Sequence, residues 1–169
     1  RNINGNYFDM NHNSINSSEA TEILLNHDRD LIIKPSQTNN GTGIKKISIK
    51  DSCIHLNDEI VDFNHLENLY EENFMIQKTA QQHPNMAAPH PASVNTLRMV
   101  TFRWKNEIHH LLTFARFGSN NDIRDNGDVE TSPRIGVTDS GEFFKVGLSQ
   151  NGQTFTHHPS TGYCFADLE

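Results

Sequence analysis

Residues 31–47, LIIKPSQTNNGTGIKKI, hold the side chains best suited to chemistry with an anion. A short apolar run, Leu31, Ile32 and Ile33, ends in Lys34-Pro35. A polar loop with Gly41 and Gly43 follows, and a β-branched run begins at Ile44. That order predicts strand, glycine-containing loop, strand. Glycine reaches positive φ and lets main chain approach a ligand closely, so such a loop can turn its N–H groups onto a phosphate. Lys34, at the end of the strand, would add a point charge for the same group. The spacing is neither GxxxxGK[ST] nor a dinucleotide-binding GxGxxG, because a strand pattern follows the glycines. The competing reading is a β-hairpin with a polar turn and a solvent-exposed lysine.

The elements that must hold these residues follow from the pattern around them. Residues 1–17 are rich in asparagine, with Tyr7, Phe8, Met10 and Ile15 scattered among them. They are expected to form an irregular or extended lead-in, a remnant of an upstream region. Ser17 or Ser18 as N-cap, with Glu22 near N3, predicts a short helix over 19–26. Residues 44–50, 52–56 and 59–61 read as strands, the last two joined by Asn57-Asp58, a pair suited to a tight hairpin. Asn64 is placed to cap a helical turn through Leu66 and Tyr70. Residues 73–78, NFMIQK, read as a short apolar strand ending in Gln77 and Lys78. After a proline-punctuated loop at 81–91, residues 94–103 and 107–117 read as antiparallel strands turned at Lys105-Asn106, and they carry Arg98 and Arg116. A further hairpin spans 134–137 and 142–148 around Asp139-Ser140-Gly141, with a loop over 157–165. The fold class expected is α+β, with antiparallel or mixed sheets and few short helices.

The chain has 169 residues, a net charge of −7 and 34% hydrophobic residues. Its mean hydropathy is −0.64 and its pI is near 5.8. That acidity argues against nucleic acid or an anionic membrane as the main partner. No apolar run approaches the ~20 residues that span a bilayer. Two cysteines, Cys53 and Cys164, make no disulfide framework, and neither sits in a CxxC, which points to a reducing cytoplasm. The sequence opens RNINGNYF without Met or an apolar leader, and Leu168-Glu169 resembles the scar before an affinity tag; a fragment is expected. Adjacent histidines such as His109-His110 point to opposite faces of a strand, and no spaced ligand set is legible, so no metal ligands can be named. Cys53 lacks a partnered histidine and reads as an inert thiol. Among the histidines, His83 in the QQHP segment is the one to test in a nucleotide site.

Taken in order, several segments form a recognisable series. They are Lys34-Pro35, the Gly41/Gly43 loop, the strand ending at Gln77, QQHP at 81–84, VNTLRMVT at 94–101, ARFG at 115–118, VTDSG at 137–141 and HHPSTG at 157–162. Together they resemble the sugar-transfer-associated ATP-grasp family of bacterial polysaccharide biosynthesis, over roughly residues 18–165. The resemblance implies a small ATP-grasp subdomain at 18–76 and, over 77–167, a hinge and the start of a second. It implies ATP and Mg2+ as cofactors. Lys34 would contact the α- and β-phosphates, and the loop with Ser36, Gly41, Thr42 and Gly43 would close over them, its amides aimed at oxygens that gain charge. Residues 75–78 would be the hinge, where main chain reads an adenine edge with Gln77 and Lys78 nearby and Ile76 against the ring. Arg98 and Arg116 would face the γ-phosphate or an acyl phosphate, a task that suits a guanidinium fork. The reaction class implied is ATP-dependent carboxylate ligation through an acyl phosphate, on a small-molecule or sugar-linked acceptor. Magnesium would bridge the phosphates, with positioning and charge neutralisation supplied by the protein.

The sequence departs from the family pattern twice. No acidic residue with an E-x-N-like pair is found before Phe165, so the metal ligands and the remaining strands are expected outside this chain. Ser132-Pro133-Arg134-Ile135-Gly136 stands where a Gly-Gly pair is usual. The chain alone is not expected to complete a catalytic cycle. The alternative is a degenerate, non-catalytic ATP-grasp module acting as a nucleotide sensor or a glycan- or protein-binding platform. An unrelated carbohydrate-binding β domain ranks last, because Trp104 is the only tryptophan available as an aromatic platform.

Overall fold

A computed structural model describes residues 1–169. The chain divides into two units, Arg1–Ala80 and Gln81–Glu169, each with its own sheet and core.

The first unit contains β1 (Asn2–Ile3), β2 (Asn6–Phe8), β3 (Ser14–Ile15), α1 (Ser17–Leu25), β4 (Leu31–Pro35), β5 (Lys45–Lys50), β6 (Cys53–Leu56), β7 (Glu59–Val61), α2 (Phe63–Tyr70) and β8 (Asn73–Lys78). Its strands form one sheet in the order β3-β2-β1-β8-β4-β5-β6-β7, every pair antiparallel. Alternation puts Leu31, Ile33, Ile47, Ile54, Leu56 and Phe74 in the core, where they are joined by Leu24, Phe63, Leu66 and Tyr70 from the helices. The β6–β7 hairpin turns on Asn57 and Asp58, both at positive φ (51° and 70°), between the paired Leu56 and Glu59. That is the conformation expected of a two-residue turn of this composition.

Both helices start one or two residues from the expected cap. Asn16 caps α1: its side chain accepts from Glu19 N at 2.9 Å, and the Glu19 carboxylate accepts from Asn16 N at 2.8 Å. Asp62, not Asn64, caps α2 by accepting from His65 N at 2.7 Å. Residues 1–15 form three short strands of the same sheet. Tyr7 is buried there, its ring 5.7 Å from that of Phe63, and its hydroxyl donates to the Glu67 carboxylate. Burial and that neighbouring carboxylate push the Tyr7 pKa up to about 12.

The second unit contains α3 (Pro84–Ala87), β9 (Thr96–Trp104), β10 (Glu107–Arg116), β11 (Arg134–Val137), β12 (Phe143–Leu148), β13 (Thr154–Phe155) and a 3₁₀ turn at Phe165–Asp167. Its sheet runs β13-β12-β11-β10-β9, again antiparallel. One face carries the core of Ala115, Phe117, Ile135, Phe165 and Leu168. Gly147 admits the Phe165 ring, since a Cβ there would stand 3.0 Å from it. Leu168, read above as part of a terminal scar, is buried in this core, and its carbonyl accepts from Lys145 Nζ at 3.1 Å. No helix in either unit is long and apolar enough to cross a membrane.

Candidate functional site

The loop between β4 and β5 is built on a fixed base. β4 and β5 pair as far as Ile33 and Lys45, and the next two residues of β4, Lys34 and Pro35, pair only with Met75 and Phe74 of β8. Gly43, at φ +78°, sits so close to Pro35 that a Cβ would lie 2.9 Å from its Cγ, and its carbonyl accepts from the Tyr70 hydroxyl at 2.7 Å. Burial pushes that tyrosine up to about 12. Asn40 and Gly41 also have positive φ, and the loop closes on itself through Thr42 N to Asn39 O at 3.2 Å and Thr38 Oγ1 to Thr42 O at 3.1 Å. Ser36 Oγ at the loop entrance is buried and has no hydrogen-bond partner. A Gly43→Ala substitution is expected to cost about 2 kcal/mol, from the strained φ and the clash with Pro35. Denaturant unfolding checks this, and a Gly141→Ala change at an open turn serves as the comparison.

Register decides which of the expected binding residues share a face. Lys34 lies opposite Met75 and Ile32 opposite Gln77, so Ile32, Lys34, Met75 and Gln77 project together from one side of the sheet. Ile76 and Lys78 project from the other side, where Ile76 packs against the helix-covered core. β1 covers β8 only at Asn73 and Phe74, which leaves one edge of residues 75–78 without a paired strand. A cavity of about 420 Å³ runs along that edge, between the N-terminal strands and α1. Met10, Ile23, Met75, Ile76, Gln77 and Lys78 are among its walls. An apolar slot beside unpaired main-chain N–H and C=O groups can hold and read a flat heterocycle.

In the second unit Arg98 lies opposite Phe114, and Arg116 opposite Thr96. The two arginines are therefore diagonal neighbours on one face, the side away from the Ala115–Ile135 core. Arg134 on β11 is directly opposite Arg116 and shares that face. Val100, Phe114, Phe144 and Leu148 continue the surface as an apolar field. Asp125 sits beside Arg116, with Oδ2 3.7 Å from Nε, and accepts from the Thr96 hydroxyl. The family resemblance points to Arg98 and Arg116, whereas Arg134 enters the sequence pattern only as part of the segment that replaces a glycine pair.

The motifs that carried the resemblance meet in a buried polar network behind this face. Asn95 N donates to Gln82 Oε1 at 2.9 Å, and Asn95 Nδ2 donates to Met86 O at 2.7 Å and His90 O at 3.0 Å. Asn95 Oδ1 accepts from the Ser93 hydroxyl and from Gly118 N at 3.2 Å. With its one proton committed, Ser93 Oγ accepts from Gly118 N at 3.2 Å and from His90 Nδ1 at 2.7 Å. That assigns His90 the Nδ1–H tautomer and leaves Nε2 buried without a partner. His158 stacks on His90 at 5.3 Å; its Nε2 donates to Gly118 O at 2.8 Å, and its Nδ1 accepts from Ser160 N and Thr161 N, both at 3.3 Å. Gly118 must be glycine, since a Cβ would lie 2.5 Å from Arg124 O and 2.6 Å from Ser93. By contrast His83 is exposed and caps α3, accepting from Asn85 N at 3.3 Å.

Burial holds both His90 and His158 below the ordinary imidazole pKa; the Asp122 carboxylate partly offsets this at His90, as the hydrogen bond to Gly118 O does at His158. The unfolded chain then binds more protons than the folded one as pH falls through about 6.5. Stability is full above that value and declines below it. Thermal unfolding between about pH 7.5 and about pH 5 is expected to show this decline, with a shallower slope in a His90→Phe variant.

Two acidic side chains of this unit, Asp122 and Asp128, are already engaged. Asp122 accepts from Arg124 Nη2 at 2.7 Å, and Asp128 accepts from the amides of Glu130 and Thr131 at 2.7 and 2.9 Å. These contacts hold both carboxyls below their usual pKa. No three histidine, cysteine or acidic side chains converge as a metal-ion cage would require. The carboxylate at the arginine face, Asp125, is taken up by Arg116 and the Thr96 hydroxyl, so this face presents no free carboxylate to a magnesium ion, which needs only one or two beside the phosphates.

Comparison with curated proteins and with solved structures gives no match. The family model for sugar-transfer-associated ATP-grasp proteins matches residues 3–169. Its span takes in the β4–β5 loop, the β8 edge, the arginine face and the network behind it. This chain thus belongs to the sugar-transfer-associated ATP-grasp family.

Proposed function

We propose that the chain is the ATP-binding portion of an ATP-grasp ligase that activates a carboxylate as an acyl phosphate, in polysaccharide or cell-surface biosynthesis. The observation that carries this reading is the common face of Arg98 and Arg116, set by the β9–β10 register. In the reaction proposed, an acceptor carboxylate oxygen attacks the γ-phosphorus, the bond to the β,γ-bridging oxygen breaks and ADP leaves. An incoming nucleophile then attacks the acyl carbon and displaces phosphate. Arg98 and Arg116 neutralise the transferring group, and their guanidinium forks match its oxygens. Lys34 serves the α- and β-phosphates, and amides between Ser36 and Gly43, including those of Gly41 and Thr42, close over them. Main chain at 75–78 reads the base along the cavity that all four residues line, with the Gln77 side chain on the face shared with Lys34 and those of Ile76 and Lys78 on the opposite face. Magnesium, when bound with the nucleotide, would supply positive charge to the phosphates.

The second reading is a nucleotide sensor without turnover. It is favoured by Ser132-Pro133-Arg134 in place of a glycine pair. Calorimetric titration with ATP and Mg2+ tests what the two share. Saturable binding weakened about tenfold by Lys34→Ala, the loss of one charge-assisted contact, supports nucleotide recognition. No binding at millimolar ATP contradicts both. Release of ADP with an acceptor present separates ligase from sensor.

A further inference from the structure

Arg116 and Arg134 stand directly opposite each other on β10 and β11, so their side chains leave the same face as near neighbours. Arg98 projects from that face one pleat along. One carboxylate is paired with this group of three cations: Asp125, 3.7 Å from Arg116 Nε and too far for a hydrogen bond. Arg116 Nε is buried without a hydrogen-bond partner. Arg134 Nη2 donates to the neutral Gln150 Oε1 at 2.9 Å, and neither Arg134 nor Arg98 is in an ion pair.

Like charges directly opposite across antiparallel strands repel. A chain of net charge −7 nonetheless gathers surplus positive charge on this one patch. A multiply charged anion would relieve the repulsion and could use the unpaired Nε. Leu148, opposite Arg134 on β12, supplies no competing carboxylate.

We infer that Arg134 is a third anion-binding side chain, gripping with Arg116 the terminal phosphoryl group of the nucleotide and setting a preference for ATP over AMP. This rests on the nucleotide reading above and adds a residue and a selectivity to it. The rival explanation is structural: Arg134 merely ties β11 to Gln150.

The test is calorimetric titration of the whole chain with sodium tripolyphosphate, ATP and AMP, using wild type, Arg134→Gln and Gln150→Ala, together with the Tm of each unliganded protein. Arg134→Gln is expected to weaken ATP and tripolyphosphate about tenfold, to leave AMP within about twofold, and to keep or raise Tm because the repulsion is gone. Wild-type affinity for ATP in Arg134→Gln overturns the inference and leaves the nucleotide reading standing. So does Gln150→Ala reproducing the loss with a lowered Tm. A wild-type chain that binds neither ATP nor tripolyphosphate overturns both.

Discussion

Asn95→Asp is expected to lower the Tm of the chain by roughly 15 °C or more, although the two side chains have the same size. The amide of Asn95 donates to Met86 O and His90 O and accepts from Ser93 and Gly118 N. A carboxylate there loses both donors and turns its own lone pairs toward two buried carbonyls. Asn95 is 6% exposed, so water cannot compensate. Broken buried networks of this kind cost about 3–5 kcal/mol, and each kcal/mol moves the Tm of a unit of this size by about 4–8 °C. Differential scanning calorimetry at about pH 7.5 measures the loss. A Thr101→Asp change on the exposed part of β9, with no such bonds, should stay within about 0.5 kcal/mol of wild type. An Asn95→Asp chain as stable as wild type would mean that the network does not hold the unit together.

Arg116→Gln is expected to reduce ATP affinity by roughly 100-fold while the fold persists, because one or two charge-assisted bonds at about 1.5–3 kcal/mol each are lost. Arg116 is 14% exposed, which strengthens its interaction with an anion relative to one in open water. Arg116→Lys should recover only part of the loss, since an ammonium lacks the planar fork. Asp125→Asn removes the one paired carboxylate and is expected to leave ATP binding equal or slightly tighter. Titration of these three proteins separates an anion site from a structural ion pair. In the latter case Asp125→Asn would be as damaging as Arg116→Gln.

What the sequence disclosed follows from which interactions are local. Strands β4 to β8 were legible because Leu31 to Ile33 and Phe74 to Ile76 are short apolar runs, because Ile47 and Ile49 alternate with polar residues, and because Asn57-Asp58 can reach positive φ. The N-cap of α1 lies one or two residues before the expected Ser17 or Ser18 because Asn16, Ser17 and Ser18 are all competent caps; Glu19, at the reciprocal N3 position, decides for Asn16. The strands within residues 1–15 were hidden because β1 is paired with β8, far along the chain, and short asparagine-rich stretches carry no period. Arg98 and Arg116 were named from a resemblance. Their common face depends on a register that shifts between His110 and Leu112, a bulge that no local pattern announces. His90 and His158 were passed over for the same reason, since what makes them special is burial against each other across sequence-distant loops. Their neighbours His83 and His157 have the same composition cues and remain exposed.

The central claim is tested most directly by amide chemical-shift mapping of the isotope-labelled chain titrated with ATP and Mg2+. The account predicts two sets of shifting resonances. One covers Lys34 to Gly43 and Met75 to Lys78; the other covers Thr96 to Arg98 with Arg116 and Arg134. Shifts confined to one terminus or to exposed loops outside these sets, or none at saturating nucleotide, would contradict it.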